Sequence, residues 1–195
     1  MKILIFGSSG LLGNYLNNFL KTKYKVFNNG LRNRKINLLN TSELKNFLTK
    51  VNPDLIINCI ADTNLDNCQS NKKSAYNTNY KILKNLVYSC KKYNINSKFI
   101  QISTDQFYNN KSSKLNNENV NWIPNYYCKT KYLAERFCIK NQIAVIRTNF
   151  FGKSNSKSQS ISDWVYKSFK SRKKFNLFYD VYFSPLNLLT LSKMI

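Results

Sequence analysis

The 195-residue sequence contains no histidine. That absence removes Ser–His and Cys–His nucleophilic catalysis and every imidazole metal site, and no metal is expected. Acid–base chemistry falls to tyrosine, lysine, aspartate, glutamate or cysteine. The five cysteines, Cys59, Cys68, Cys90, Cys128 and Cys138, are odd in number and form no C-x-x-C pair. Reduced, scattered thiols are expected, not a disulfide framework or a zinc site. No apolar run reaches the ~18–20 residues that a membrane span needs. The N-terminal apolar run is short, is broken by Gly7 and Gly10, and precedes no small-residue cleavage site, so a cytoplasmic protein without a membrane partner is expected. Acidic residues are also scarce, 9 against 31 lysines and arginines, for a net charge of +22. Such a balance attracts anions, nucleic acid among them. The lysines are spread along the whole chain among many asparagines, and "KSFKSRKK" at 167–174 is the densest cluster. Nucleotides and sugar nucleotides would be attracted too, so the charge alone does not decide between them; with no nucleic-acid motif present, a nucleic-acid partner is not expected.

With 43% hydrophobic and 14% aromatic residues the chain is globular, and its length suits one large domain, or one domain and part of a second. Strand and helix patterns alternate. "KILIF" (2–6), "YKVFN" (24–28), "DLIINCI" (54–60), "KFIQIS" (98–103), "IAVIRT" (143–148) and "FNLFYD" (175–180) read as strands. Between them, "LLGNYLNNFLKT", "TSELKNFLTKV" with a Thr41-Ser42 cap signal, the stretch from Lys72 to about Tyr93, "NYYCKTKYLAERFCIKN" and "ISDWVYKSFKSRKK" read as helices. "KSNSKSQS" (153–160) reads as polar loop. Continuous apolar strands alternating with helices predict an α/β fold, a doubly wound parallel sheet covered on both faces.

Glycine is rare as well: five in all, and three of them are Gly7, Gly10 and Gly13 in "GSSGLLG". The motif ends the first strand and opens the first helix. Glycines there allow a tight turn, close approach to a diphosphate and close helix–strand packing, while the helix N-terminus presents free N–H groups. Ser8 and Ser9 add hydroxyl donors. An acidic residue at the end of strand two would bind the ribose of NAD, but the chain reads Asn28-Asn29, with Arg32 and Arg34 close behind. An arginine there suits a 2′-phosphate, so NADP(H) is the expected cofactor and NAD(H) the alternative.

Tyr127 and Lys131, four residues apart, share one helical face. An ammonium held near a phenol favours the phenolate, so Lys131 is expected to lower the Tyr127 pKa toward the working range. Taken singly, the pair also reads as a partly buried tyrosine beside a surface lysine, and Thr104 as a turn hydroxyl. Thr104 ends strand four, where an open parallel sheet faces its ligand crevice.

Together these parts resemble an extended short-chain dehydrogenase/reductase, and within that superfamily the dTDP-4-dehydrorhamnose reductase family. The resemblance is carried by "GSSGLLG" (7–13), "DLIINCIADTNLDNC" (54–68), "AYNTNY" (75–80), "ISTDQFY" (102–108), "YYCKTKYLAE" (126–135), "IRTNFFG" (146–152) and "FSPLNLL" (183–189), in family order. It implies an NAD(P)H-dependent reductase of a nucleotide-linked 4-keto sugar in the dTDP-rhamnose pathway. It implies catalysis by Thr104, Tyr127 and Lys131. It places the cofactor against Gly7, Ser9, Gly10, Leu11, Leu12, Gly13, Arg32, Asn58, Cys59, Ala61 and Lys131. Related alternatives are a sugar-nucleotide epimerase or dehydratase, or a non-catalytic NADP-binding regulatory subunit. A homo-oligomer is compatible with the family. Residues 1–150 are the expected NAD(P)-binding domain and 151–195 the start of a substrate-binding region, since the family pattern runs on past "FSPLNLLTLSKMI". Cys128 stands where the family often has glycine, and Asp62 receives no role.

Overall fold

The computed structural model describes residues 1–29, 36–108, 120, 122–153, 160–171 and 184–195. The first strand, β1 (Lys2–Phe6), buries Ile3, Leu4, Ile5 and Phe6, so both of its faces are covered. Helix α1 (Leu11–Leu20) turns Leu12, Gly13 and Leu16 inward, and β2 (Lys25–Asn28) follows. The cap of α2 (Thr41–Val51) lies one residue before the expected pair: Asn40 Oδ1 accepts from the Ser42 and Glu43 N–H groups at 3.0 and 3.3 Å. Glu43 answers by accepting from Asn40 Nδ2 at 3.0 Å, a reciprocal cap that the shorter Thr41 hydroxyl does not form. Next come β3 (Leu55–Asn58), α3 (Leu65–Ser70) and α4 (Lys72–Tyr76).

The single helix predicted from Lys72 to about Tyr93 is interrupted. A π-helical turn, Asn77–Lys81, joins α4 to α5 (Ile82–Lys92). The wider turn shifts the helical phase, and Asn79, a polar residue, ends up 1% exposed. Strand β4 (Lys98–Thr104), helix α6 (Tyr126–Lys140) and strand β5 (Ala144–Thr148) complete the main sheet. The short strand β6 (Phe150–Phe151), α7 (Ile161–Ser171), β7 (Leu186–Asn187) and α8 (Leu188–Met194) follow, with β6 and β7 paired in parallel. The expected strand at 175–180, residues 154–159 of the expected loop and residues 172–174 of the expected helix lie outside the described residues, as do Arg32 and Arg34.

The five strands run parallel in the order β2-β1-β3-β4-β5. One face packs Leu4, Phe6 and Ile56 against Leu44 and Leu48 of α2 and Leu86 of α5. The other packs Ile3, Ile5, Ile57 and Ile102 against Leu12 and Leu16 of α1 and Leu188 and Leu191 of α8. Each fully buried side chain of this size contributes ~1.5–3 kcal/mol, so two apolar faces hold the sheet from both sides. This is the doubly wound parallel α/β architecture that the apolar strands predict. From β1 the chain runs to β2 on one side and then returns to β3 on the other. Connections diverging this way leave a crevice at the carboxyl ends of β1 and β3.

Candidate active site

Gly7 sits at that crevice with φ +81°, a left-handed conformation open to glycine at little cost. A Cβ there would also stand 2.8 Å from the backbone of Cys59 and Ile60 at the end of β3. The turn closes through Gly10 N–H donating to Gly7 O at 3.0 Å. Gly10 is the N-cap of α1, no side chain caps the helix, and its first turn holds no acidic residue. The positive end of the helix dipole and its first N–H groups therefore face the crevice with no side-chain cap and no acid of their own turn. Ser8 Oγ is buried and without a hydrogen-bond partner among the described residues. Gly13 lies directly over Gly7, since a Cβ on it would stand 2.8 Å from Gly7 C and closer still to Gly7 O. Backbone cannot yield as a flexible side chain would. Gly13→Ala is expected to push α1 off the loop, cost about 1–3 kcal/mol of stability in urea denaturation and weaken dinucleotide affinity in a fluorescence titration.

A cleft of about 550 Å³ opens from this turn across the strand ends. Of the expected site residues, it is lined by Gly10, Leu11, Leu12, Gly13, Cys59, Ala61, Thr104, Tyr127 and Lys131. Three expected cofactor contacts lie elsewhere. Gly7 forms the turn beneath it, and Ser9 is exposed beside it. The Asn58 side chain faces inward, donating to Gln101 Oε1 at 2.8 Å and accepting from Ile60 N–H at 3.2 Å.

Thr104, Tyr127 and Lys131 meet in this cleft although the first stands 23 positions or more before the others, because the carboxyl end of β4 lies beside the start of α6. Thr104 Oγ1 accepts from Gln106 N–H at 3.2 Å, fixing the turn after β4. Asn125 caps α6 by accepting from Cys128 N–H at 2.9 Å, which places Tyr127 on the first turn. The electrostatics differ from expectation. Burial pushes the Tyr127 phenol up to about 12; a hydrogen bond with Thr104 opposes this, and Cys128, Asp105 and Cys68 add to it. Lys131 does not supply the expected lowering. Its Nζ donates instead to Ile102 O at 2.7 Å, and burial pushes the ammonium down to about 8. Lys131 is buried, and Cys59, Glu135 and Cys138 partly oppose the lowering of its ammonium.

Two further devices hold this geometry. Asn79 Oδ1 accepts from Asp62 N–H at 2.7 Å, while its Nδ2 donates to Asp62 O at 3.1 Å and to Thr130 Oγ1 at 3.0 Å. Thr130 in turn donates to Tyr127 O at 2.7 Å. One buried amide thus ties the loop after β3 to the helix turn that carries the tyrosine. Farther along α6, Glu135 receives a forked pair from Arg147 of β5, with Nη2 to Oε2 at 2.8 Å and Nε to both carboxylate oxygens at 3.1 Å. The Arg147 guanidinium also lies 5.4 and 5.6 Å from the ring centres of Phe107 and Tyr108, and Nη1 donates to Tyr108 Oη at 3.3 Å. Asn79, Glu135 and Arg147 stand inside the sequence motifs that carry the resemblance, yet their roles were missed. A signal existed for Asn79: an asparagine at a helical position that should have been apolar.

The fold and its crevice define a Rossmann-type α/β protein. A family model, the RmlD substrate binding domain, matches residues 1–195, and the chain belongs to that family. A dTDP-4-dehydrorhamnose reductase from Clostridium acetobutylicum is 26% identical and superposes with a TM-score of 0.85, covering 100% of this chain and 68% of that one. A hypothetical dTDP-4-dehydrorhamnose reductase from Sulfolobus tokodaii is 30% identical, with a TM-score of 0.85, 99% of this chain and 70% of that one covered. Among curated proteins, a dTDP-D-glucose 4,6-dehydratase from Dictyostelium discoideum is 28% identical over 194 residues. The match takes in 87% of this chain and 41% of that protein, so the chain spans well under half the length of this relative. Among the described residues, no helix is long and apolar enough to cross a membrane.

Proposed function

We propose that the chain binds NADP(H), with NAD(H) as the alternative, and reduces the keto group of a nucleotide-linked 4-keto sugar. The observation that carries this reading is the convergence of Thr104, Tyr127 and Lys131 with an uncapped glycine turn in one cleft. The turn fits a dinucleotide: Gly7 and Gly13 pack backbone on backbone and keep it tight, Gly10 opens on the cleft, the first N–H groups of α1 suit a diphosphate, and the buried Ser8 hydroxyl has a donor to spare. Leu11, Leu12, Gly13, Cys59 and Ala61 would flank the cofactor, Lys131 would meet its ribose, and Arg32 is assigned the 2′-phosphate from the sequence. When bound, the nicotinamide supplies a hydride to the carbonyl carbon. Thr104 orients the carbonyl oxygen through its hydroxyl, and Tyr127 gives that oxygen its phenolic proton. A phenol pushed up to about 12 keeps its proton at neutral pH, as a proton donor must. Residues 1–150 are assigned the cofactor half and 151–195 the beginning of the substrate half. No nucleic-acid role is assigned.

The decisive experiment titrates NADPH and NADH against the fluorescence of Trp122 and Trp164. Saturable quenching is expected, tighter with NADPH. Absence of saturable binding by either dinucleotide overturns the reading. The match to a dehydratase supports a second reading, dehydratase or epimerase chemistry, which would turn over the sugar nucleotide without net consumption of NADPH.

A further inference from the structure

We propose that Gln106 is a specificity-determining residue: the Cys128 thiol holds its side-chain amide so that Nε2 offers a hydrogen bond to the hydroxyl on C3, beside the keto carbon of the sugar. The inference rests on the keto-sugar reading of the cleft and adds what that sugar must carry. Gln106 bridges the two elements that meet here. Its N–H donates to Thr104 Oγ1 at 3.2 Å, which seats it on the turn after β4. Its side chain reaches α6, where Oε1 accepts from Cys128 Sγ at 3.5 Å, one residue past Tyr127. Gln106 lines the cleft with Thr104 and Tyr127 and is itself exposed.

The direction of the thiol contact decides which end of the amide is free. A thiol that keeps its proton donates, so it selects the carbonyl oxygen and leaves Nε2 as the open end. Burial pushes Cys128 up to about 11, so the proton stays on sulfur at neutral pH. The glycine frequent at this place in the family could make no such bond. Gln106 Nε2 has no partner among the described residues. Neighbouring groups of the cleft are already engaged: Asp62 accepts from Asn64 N–H at 3.2 Å and from Asn67 Nδ2, and Lys131 donates to Ile102 O. A glutamine held at one end loses less rotamer freedom on binding than a loose one, so its donor is preorganised. In a 4-keto-6-deoxy sugar the keto carbon has two neighbours. C5 carries a methyl group, and C3 carries a hydroxyl, the exocyclic oxygen next to the carbonyl. With Thr104 and Tyr127 on the keto oxygen, an N–H fixed beside them meets that hydroxyl.

The test compares dTDP-6-deoxyglucose with dTDP-3,6-dideoxyglucose by calorimetric titration in the presence of NADP⁺. The parent should bind the C3-hydroxylated ligand about three- to tenfold more tightly, the worth of one net hydrogen bond. In Gln106→Leu the ratio should fall toward one, and Gln106→Met is a second apolar variant should Gln106→Leu fail to fold. Cys128→Ala keeps the amide but releases it and should also lower the ratio, whereas Cys128→Ser keeps a donor and should restore it. Equal affinities in the parent, a ratio that survives in the Gln106 variants or in Cys128→Ala, or no binding of either ligand overturns the proposal. Rates of NADPH-dependent reduction of dTDP-4-keto-6-deoxyglucose form the second arm. Turnover with equal affinities overturns the proposal and leaves the reductase reading standing. Discrimination lost with Gln106, but without turnover in the parent, supports the role of Gln106 and overturns the reductase reading alone.

Discussion

Tyr127→Phe is expected to lower turnover of a 4-keto sugar nucleotide by about 10²–10⁴-fold while leaving NADPH affinity within about twofold of the parent. The phenyl ring keeps the packing of the cluster that Tyr127 shares with Cys68, Ala75, Phe107 and Cys128. What is lost is the proton-bearing oxygen facing Thr104. Steady-state rates and a parallel fluorescence titration separate the two quantities. Equal losses in both would mean that the ring, not its hydroxyl, does the work, and the proposed proton donor would be wrong. A non-catalytic binding subunit would show cofactor binding and no turnover to lose.

Arg147→Met is expected to destabilise the fold by about 3–5 kcal/mol, measured by urea denaturation. The cost comes mainly from the partner left behind. The Glu135 side chain is 3% exposed, and without the forked guanidinium its buried carboxylate loses its salt bridge and three hydrogen bonds. The double variant Glu135→Leu/Arg147→Met should recover much of that loss, because two apolar side chains leave no stranded charge. Two losses that simply add would show the pair to be uncoupled. The same arginine covers Phe107 and Tyr108, just beyond the Thr104 turn, so the single variant should also reduce turnover in the protein that remains folded.

Much of the fold was legible because its signals are local. "KILIF" is buried from Ile3 to Phe6 and forms β1 with the expected bounds, and "TSELKNFLTKV" forms α2. The glycine motif was readable because a strand-to-helix turn with φ +81° and touching backbones restricts the residue at Gly7 and Gly13. The π-helical turn was not readable. Lys72 to Tyr93 carries a passable helical pattern throughout, and only the pull of Asn79 toward Asp62 and Thr130, 17 and 51 residues away, explains the wider turn. The side-chain partner of Asn58 was unreadable for a similar reason: its amide satisfies Gln101 on the neighbouring strand, a pairing set by register and not by any local pattern.

By itself the sequence determined the chemical repertoire and the layout. Without histidine, any proton transfer is left to groups such as Tyr127; three glycines at the first strand's end marked the turn beside the cleft; apolar strands between helices made the sheet parallel and covered. Only the tertiary structure decided how the reactive groups are tuned. Spacing alone placed Lys131 near Tyr127 and expected a lowered phenol pKa. Burial reversed that direction, and the Ile102 carbonyl took the ammonium. Residue types and their spacing travel with the chain, whereas desolvation and the field at an atom depend on what distant segments bring to it, and those exist only once the sheet has formed.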